Sequence, residues 1–110
     1  MKNRIRNTYG SWCLVAGAAE GLGEAFSRAL AAGGMDLILL DHQKDRLDSL
    51  ALDVEASFGI QVRTLLLDLA SGESIGLMMD VIRETACRMI IYNAAFSKVK
   101  RIQAIFLVVQ

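Results

Sequence analysis

Three glycines, Gly17, Gly21 and Gly23, stand in the segment Ala16-Gly17-Ala18-Ala19-Glu20-Gly21-Leu22-Gly23. Glycine has no β-carbon, so this spacing suits a backbone that must turn sharply and approach an anion. Gly17 fits the tight turn, Gly21 the close approach of a phosphate-bearing ligand, and Gly23 the close packing of a helix on the preceding strand. A helix that begins near Leu22 would aim its unsatisfied N–H groups and the positive end of its dipole at a phosphate. A strand–helix turn without a ligand would use the same glycines, so the cluster by itself leaves both uses open.

Asp41 lies 24 residues after Gly17 and closes a second apolar run. A carboxylate there accepts hydrogen bonds from the ribose hydroxyls of an adenosine. It also repels the additional phosphate of NADP, so the residues favour NAD over NADP. Glu20, inside the turn, offers no positive charge to a second phosphate, and His42 is a weaker phosphate ligand than arginine. The other use of Asp41 is as a solvated turn residue or as a cap for the following helix. His42 reads as a solvated loop residue rather than a base, because no nucleophile adjoins it.

The elements that position these residues follow from the hydrophobic pattern. Trp12 to Ala16 is a short apolar run stopped by Gly17, and Leu37 to Leu40 is another closed by Asp41. Continuous runs of this kind suit strands buried on both faces. Leu22, Ala25, Phe26, Ala29 and Leu30 recur at helical spacing before Gly33-Gly34, and Leu47, Leu50, Ala51, Val54 and Phe58 do so before Gly59. A third strand is expected from Val62 to Leu67. A third helix is expected from an N-cap at Ser71, burying Ile75, Met78, Met79, Ile82 and, at its end, Ala86. Met89 to Tyr92 forms a fourth strand running into Asn93-Ala94-Ala95.

Strands alternating with helices require right-handed crossovers. The expected fold is therefore a doubly wound parallel sheet of Rossmann type, three layers α/β/α, ending after about four strands. Gly17, Asp41, Asp68 and Asn93 all fall at the carboxyl ends of strands, where such sheets bind their ligands.

The 110 residues fit one domain, with residues 98–110 as a tail of different character. Twelve basic and twelve acidic residues balance, and no charge run forms a patch for nucleic acid. The longest apolar runs fall short of the roughly 20 residues of a membrane helix, and no secretory apolar core follows the start. A soluble cytoplasmic protein is expected, with no nucleic-acid or membrane partner. Cys13 and Cys87 lack metal or redox spacing and read as buried, reduced thiols. No metal site is expected.

The glycine segment resembles the Thr-Gly-x-x-x-Gly-x-Gly motif of the short-chain dehydrogenase/reductase family, with Ala16 in place of the threonine. Leu67-Asp68-Leu69 resembles the family's acidic residue after the third strand, and Asn93-Ala94-Ala95 its Asn-Ala-Gly motif, so the likeness covers about residues 9 to 97. Tyr9-Gly10-Ser11-Trp12 and Gly34-Met35-Asp36-Leu37 look like the branch containing 3-ketoacyl-CoA reductases and 17β-hydroxysteroid dehydrogenases. Members of that branch often use NADP, from which Asp41 departs.

The resemblance implies hydride transfer between a nicotinamide dinucleotide and an alcohol or ketone. The implied cofactor contacts are Gly17, Ala19, Glu20, Gly21, Leu22 and Gly23 in the turn, and Asp41 and His42 after the second strand. Asp68 and Leu69 follow the third strand, and Asn93, Ala94 and Ala95 the fourth.

The family's catalytic pair, a tyrosine with a lysine four residues later, is not among these residues. Tyr9 and Tyr92 are followed at that spacing by Cys13 and Phe96. No catalytic residue is assigned, and the chain by itself is expected to be inactive, as the dinucleotide-binding half of such an enzyme. Ser97 and Lys98 read as loop residues. A non-catalytic dinucleotide-binding or self-associating module is the alternative, and a shortened product without function is a third reading. The tail from Lys98 to Gln110 fits a displaced strand, a helix or an altered reading frame. The fourth strand would leave an open edge through which copies could pair, unless the apolar tail covers it.

Overall fold

The computed structural model describes residues 11–19, 21–68, 71–96 and 101–108. Its elements are β1 (Trp12–Ala16), α1 (Gly21–Ala32), β2 (Asp36–Asp41), α2 (Lys44–Phe58), β3 (Val62–Leu66), α3 (Glu73–Thr85), β4 (Met89–Phe96) and β5 (Arg101–Val108). The strands form one sheet in the order β3-β2-β1-β4-β5. The first four are mutually parallel, with Ala16 level with both Leu40 and Tyr92.

Period-two alternation explains why the strand sequences are apolar throughout. Cys13, Val15, Leu37, Leu39, Met89 and Ile91 face one side, where Leu30, Ala31, Leu47, Leu50 and Val54 of α1 and α2 cover them. Leu14, Ala16, Ile38 and Leu40 face the other, where they meet Val81 and the partly buried Met78 and Ile82 of α3. Each inner strand therefore needs an apolar residue at every position. The two ends of β2 are acidic and both are buried. At its start Asp36 Oδ1 accepts a hydrogen bond from Gln61 N–H at 2.9 Å, fixing the entry to β3.

Two helices are rotated from the face their apolar spacing indicates, so that Phe26 and Leu30 of α1 and Met78 and Ile82 of α3 pack on the sheet as expected while the rest of each stripe does not. In α1 the buried residues are Gly23, Ser27, Leu30 and Ala31, whereas Leu22, Ala25 and Ala29 are exposed. The glycine that lets the helix approach the sheet sets its rotation, and Ser27 can be buried because its hydroxyl donates to the Gly23 carbonyl at 2.8 Å. In α3, Ser74 and Val81 are buried while Ile75 and Met79 are 67% and 44% exposed, reversing the expectation that both are core. Ser74 Oγ donates to the Asp68 carbonyl at 2.5 Å, which turns its own face inward and Ile75 outward. Ser71 lies just before the helix and accepts from Glu73 N–H at 3.4 Å, but the cap position falls to Gly72.

The tail forms a strand, and the sheet is not wholly parallel. β5 runs antiparallel to β4, pairing Met89 with Val108 through to Phe96 with Arg101. Only residues 97–100 separate the two strands. A parallel return needs a crossover of about a dozen residues, so a link this short permits only a hairpin. The edge of β4, which the sequence left open unless the tail covered it, is thus covered, and the sheet has five strands.

Cys13 and Cys87 are free, buried thiols. Burial pushes both above their ordinary value of 9.0, and at Cys13 the nearby Cys87 adds to the effect. The unfolded chain therefore releases thiol protons at lower pH than the folded one. This contribution is whole below the unfolded value and is lost as pH rises past it, by up to about 1.4 kcal/mol per thiol per pH unit. Urea midpoints at pH 7 and pH 10 should fall less far apart in Cys13→Ala than in the parent. Equal falls would remove the thiol as the cause.

Candidate functional site

The glycine turn is strapped to the end of β2. Gly17 and Ala18 N–H groups both donate to the Leu40 carbonyl, at 2.8 and 3.1 Å, and Ala19 N–H donates to Asp41 Oδ2 at 2.9 Å. Gly17 has φ 79° and Gly21 φ 56°, the left-handed region where a β-carbon is disfavoured. Gly21 opens α1, and Gly23 is buried where the helix meets the sheet. The backbone thus turns at Gly17, and Gly23 sits buried at the start of the helix. As the first residues of α1, Gly21, Leu22 and Gly23 have N–H groups without an acceptor within the helix.

Asp41 does more than end a strand. It is only 4% exposed. Its Oδ1 accepts from His42 N–H at 2.7 Å and Gln43 N–H at 3.1 Å while Oδ2 holds Ala19. The carboxylate therefore ties the glycine turn to the entry of α2, and it is neither the solvated turn residue nor the helix cap that the sequence offered as its other use. The His42 ring lies in solvent, its Nδ1 3.3 Å from Asp41 Oδ1.

Asp68 is exposed at the carboxyl end of β3, and its carbonyl accepts from Ser71 N–H and Ser74 Oγ. Asn93, Ala94 and Ala95, expected just beyond the fourth strand, lie within it because pairing with β5 prolongs β4. Glu20 and Leu69 lie outside the described residues.

Beside the turn is an open cleft of about 450 Å³, lined by Ala19, Gly21, Glu24, Arg28, Arg46 and Ser49 among others. Sequence reasoning singled out none of the last four. They meet only because α1 and α2 run side by side on one face of the sheet. Arg28 spans the two helices, bonding Glu24 at 3.2 Å and Asp53 at 2.5 Å.

The turn, the β2 carboxylate and the sheet order together define a doubly wound α/β protein of the dinucleotide-binding type. A family model described as short chain dehydrogenase matches residues 11–106, and the chain belongs to that family. The very-long-chain 3-oxoacyl-CoA reductase of Phaeosphaeria nodorum is 42% identical over 66 residues, covering 58% of this chain and 19% of the reductase. This agrees with the branch indicated by the opening residues.

Among solved structures, a short-chain dehydrogenase from Sphingobium yanoikuyae in complex with NADPH is 30% identical with a TM-score of 0.68, covering 72% of this chain and 31% of that one. An NAD+-bound xylitol dehydrogenase is 32% identical with a TM-score of 0.63, covering 70% and 30%. The chain thus spans about a fifth of the length of the reductase and about a third of each structure. Among the described residues no helix is long and apolar enough to cross a membrane.

Proposed function

We propose that this chain holds the nicotinamide dinucleotide of an oxidoreductase that moves hydride between the nicotinamide and an alcohol or ketone, and that it takes NAD in preference to NADP. The observation that carries this reading is Asp41, a buried carboxylate tied through Ala19 to the phosphate turn. The turn N–H groups of Gly21, Leu22 and Gly23 would take the pyrophosphate. The negative charge of Asp41 would stand against a phosphate on the adenosine ribose, with no arginine at His42 to offset it. Asp68 would border the adenosine, and the backbone from Asn93 to Ala95 would mark the far limit of the bound portion. The nicotinamide, when bound, supplies the hydride. The 110 residues contain no tyrosine with a lysine four positions later, so this chain alone is proposed to bind without turnover.

Calorimetric titration of the purified chain should give saturable binding of NADH at least tenfold tighter than of NADPH. Equal or reversed affinities would overturn the choice of NAD, and binding of neither would overturn the reading as a whole.

Buried free thiols suit a reducing compartment, and the cytoplasm is the proposed location. Self-association is proposed to run through β5, the last strand of the sheet, since an edge strand can pair with its copy about a two-fold axis. Light scattering at tens of micromolar should detect a dimer, and a monodisperse monomer would count against it.

A further inference from the structure

The strands do not end at one level. Ala16 of β1 is level with Leu40 and Tyr92, and Asp41 is level with Leu66, so β1, β2 and β3 all stop within a residue of one another. β4 continues for the four residues Asn93 to Phe96, each paired with one of Arg101 to Ala104 of β5. At the usual rise per residue, this two-stranded arm stands about 13 Å beyond the end of β1 and about 10 Å beyond the ends of β2 and β3. β1 has already turned away at Gly17, so the arm rises directly beside the glycine turn.

A dinucleotide on a sheet of this order crosses the carboxyl ends at the switch between β1 and β4. Its adenosine lies toward β2, and its other nucleoside lies toward β4. On the adenosine side, β2 and β3 end low beside the turn and the Asp41 carboxylate, and among the described residues no strand rises past them. On the other side, the ground a nicotinamide riboside would cross is where the β4–β5 arm stands. A parallel fifth strand would need a long crossover after β4, so the fourth strand could turn off where its neighbours do. Here the hairpin prevents that, and strand pairing holds the segment upright.

We infer that this chain recognises the adenosine diphosphate portion of its ligand and provides no seat for the nicotinamide. The inference rests on the dinucleotide reading above and narrows it. The ligand class is an adenosine 5′-diphosphate bearing any substituent that can pass the arm into solvent: ADP, ADP-ribose and NAD bind alike, because the turn and the β2 end contact what they share.

Calorimetry with ADP-ribose, NADH and nicotinamide mononucleotide on the intact 110-residue chain tests it. ADP-ribose and NADH should agree in Kd within fivefold, and the mononucleotide at millimolar concentration should leave the NADH isotherm unchanged. In saturation-transfer NMR of NADH, the adenine protons should receive magnetisation and the nicotinamide protons should not. NADH binding more than fivefold tighter than ADP-ribose, competition by the mononucleotide, or transfer to the nicotinamide protons would each overturn the inference and leave the dinucleotide reading standing. Failure of every adenosine ligand to bind would overturn the dinucleotide reading, and this inference with it.

Discussion

Replacing Asp41 with alanine is expected to lower the unfolding free energy by about 3 kcal/mol, and to weaken NADH binding at least tenfold. The carboxylate accepts three backbone N–H groups, those of Ala19, His42 and Gln43. His42 is exposed, and Gln43 half-buried, so water can replace much of what they lose. Ala19 is buried, and its N–H would be left facing a cavity, which supplies most of the cost. The affinity falls for a related reason. Without Oδ2 the turn keeps only its bonds to the Leu40 carbonyl, and the helix N–H groups that would meet the pyrophosphate lose part of their preorganisation.

Asp41→Asn separates charge from structure. Its amide oxygen can still accept from His42 and Gln43, but its NH2 would oppose the Ala19 N–H. About half the stability loss should remain, while the preference for NADH over NADPH narrows because the negative charge is gone. Urea denaturation and paired NADH and NADPH calorimetry on both variants provide the measurements. A stability within 0.5 kcal/mol of the parent in Asp41→Ala, as ordinary surface changes show, would contradict the structural part. An unchanged NADPH to NADH ratio in Asp41→Asn would contradict the electrostatic part.

Gly17→Val carries the second large effect. At φ 79° a β-branched side chain clashes with its own backbone, and the expected loss is about 2 to 3 kcal/mol. If the backbone relaxes to avoid the clash, the Gly17 and Ala18 bonds to Leu40 open and NADH binding disappears with them. Gly59→Ala is the matched control. It has the same sign of φ, 67°, at the C-cap of α2, and nothing lies within 4 Å of where its β-carbon would sit. It should cost about 1 kcal/mol from backbone strain alone and leave NADH affinity unchanged. Equal losses of binding in the two variants, each compared at full folding, would show that Gly17 acts through stability and not through the turn.

The parallel strands and the glycine turn were legible from the residues alone because their signals are local. A four-residue run such as Leu37 to Leu40, closed by Asp41, suits a strand covered on both faces, and Gly17 before a helical stripe marks a turn. Right-handed crossovers then make the strands parallel, while the order β3-β2-β1-β4 came from the tertiary structure. The faces of α1 and α3 did not follow from spacing. Leu22 and Ile75 are as apolar as their buried neighbours, and the rotation of each helix is decided by one contact made elsewhere, Gly23 against the sheet and Ser74 on the Asp68 carbonyl.

The same distinction divides the site. Sequence by itself placed Gly17, Asp41, Asp68 and Asn93 at the carboxyl ends of four strands, since each directly follows or closes an apolar run. Only the tertiary structure decided that Asp41 turns inward to hold Ala19, because that bond joins residues 22 apart whose meeting depends on the register of β1 with β2. It also decided that Asn93 to Phe96 belong to a strand. The apolar tail has no helical or alternating period to announce its direction, and a link of four residues after β4 turned it into an antiparallel partner. Local chemistry fixed what each element is, and pairing between distant segments fixed which way its residues face and how far it extends.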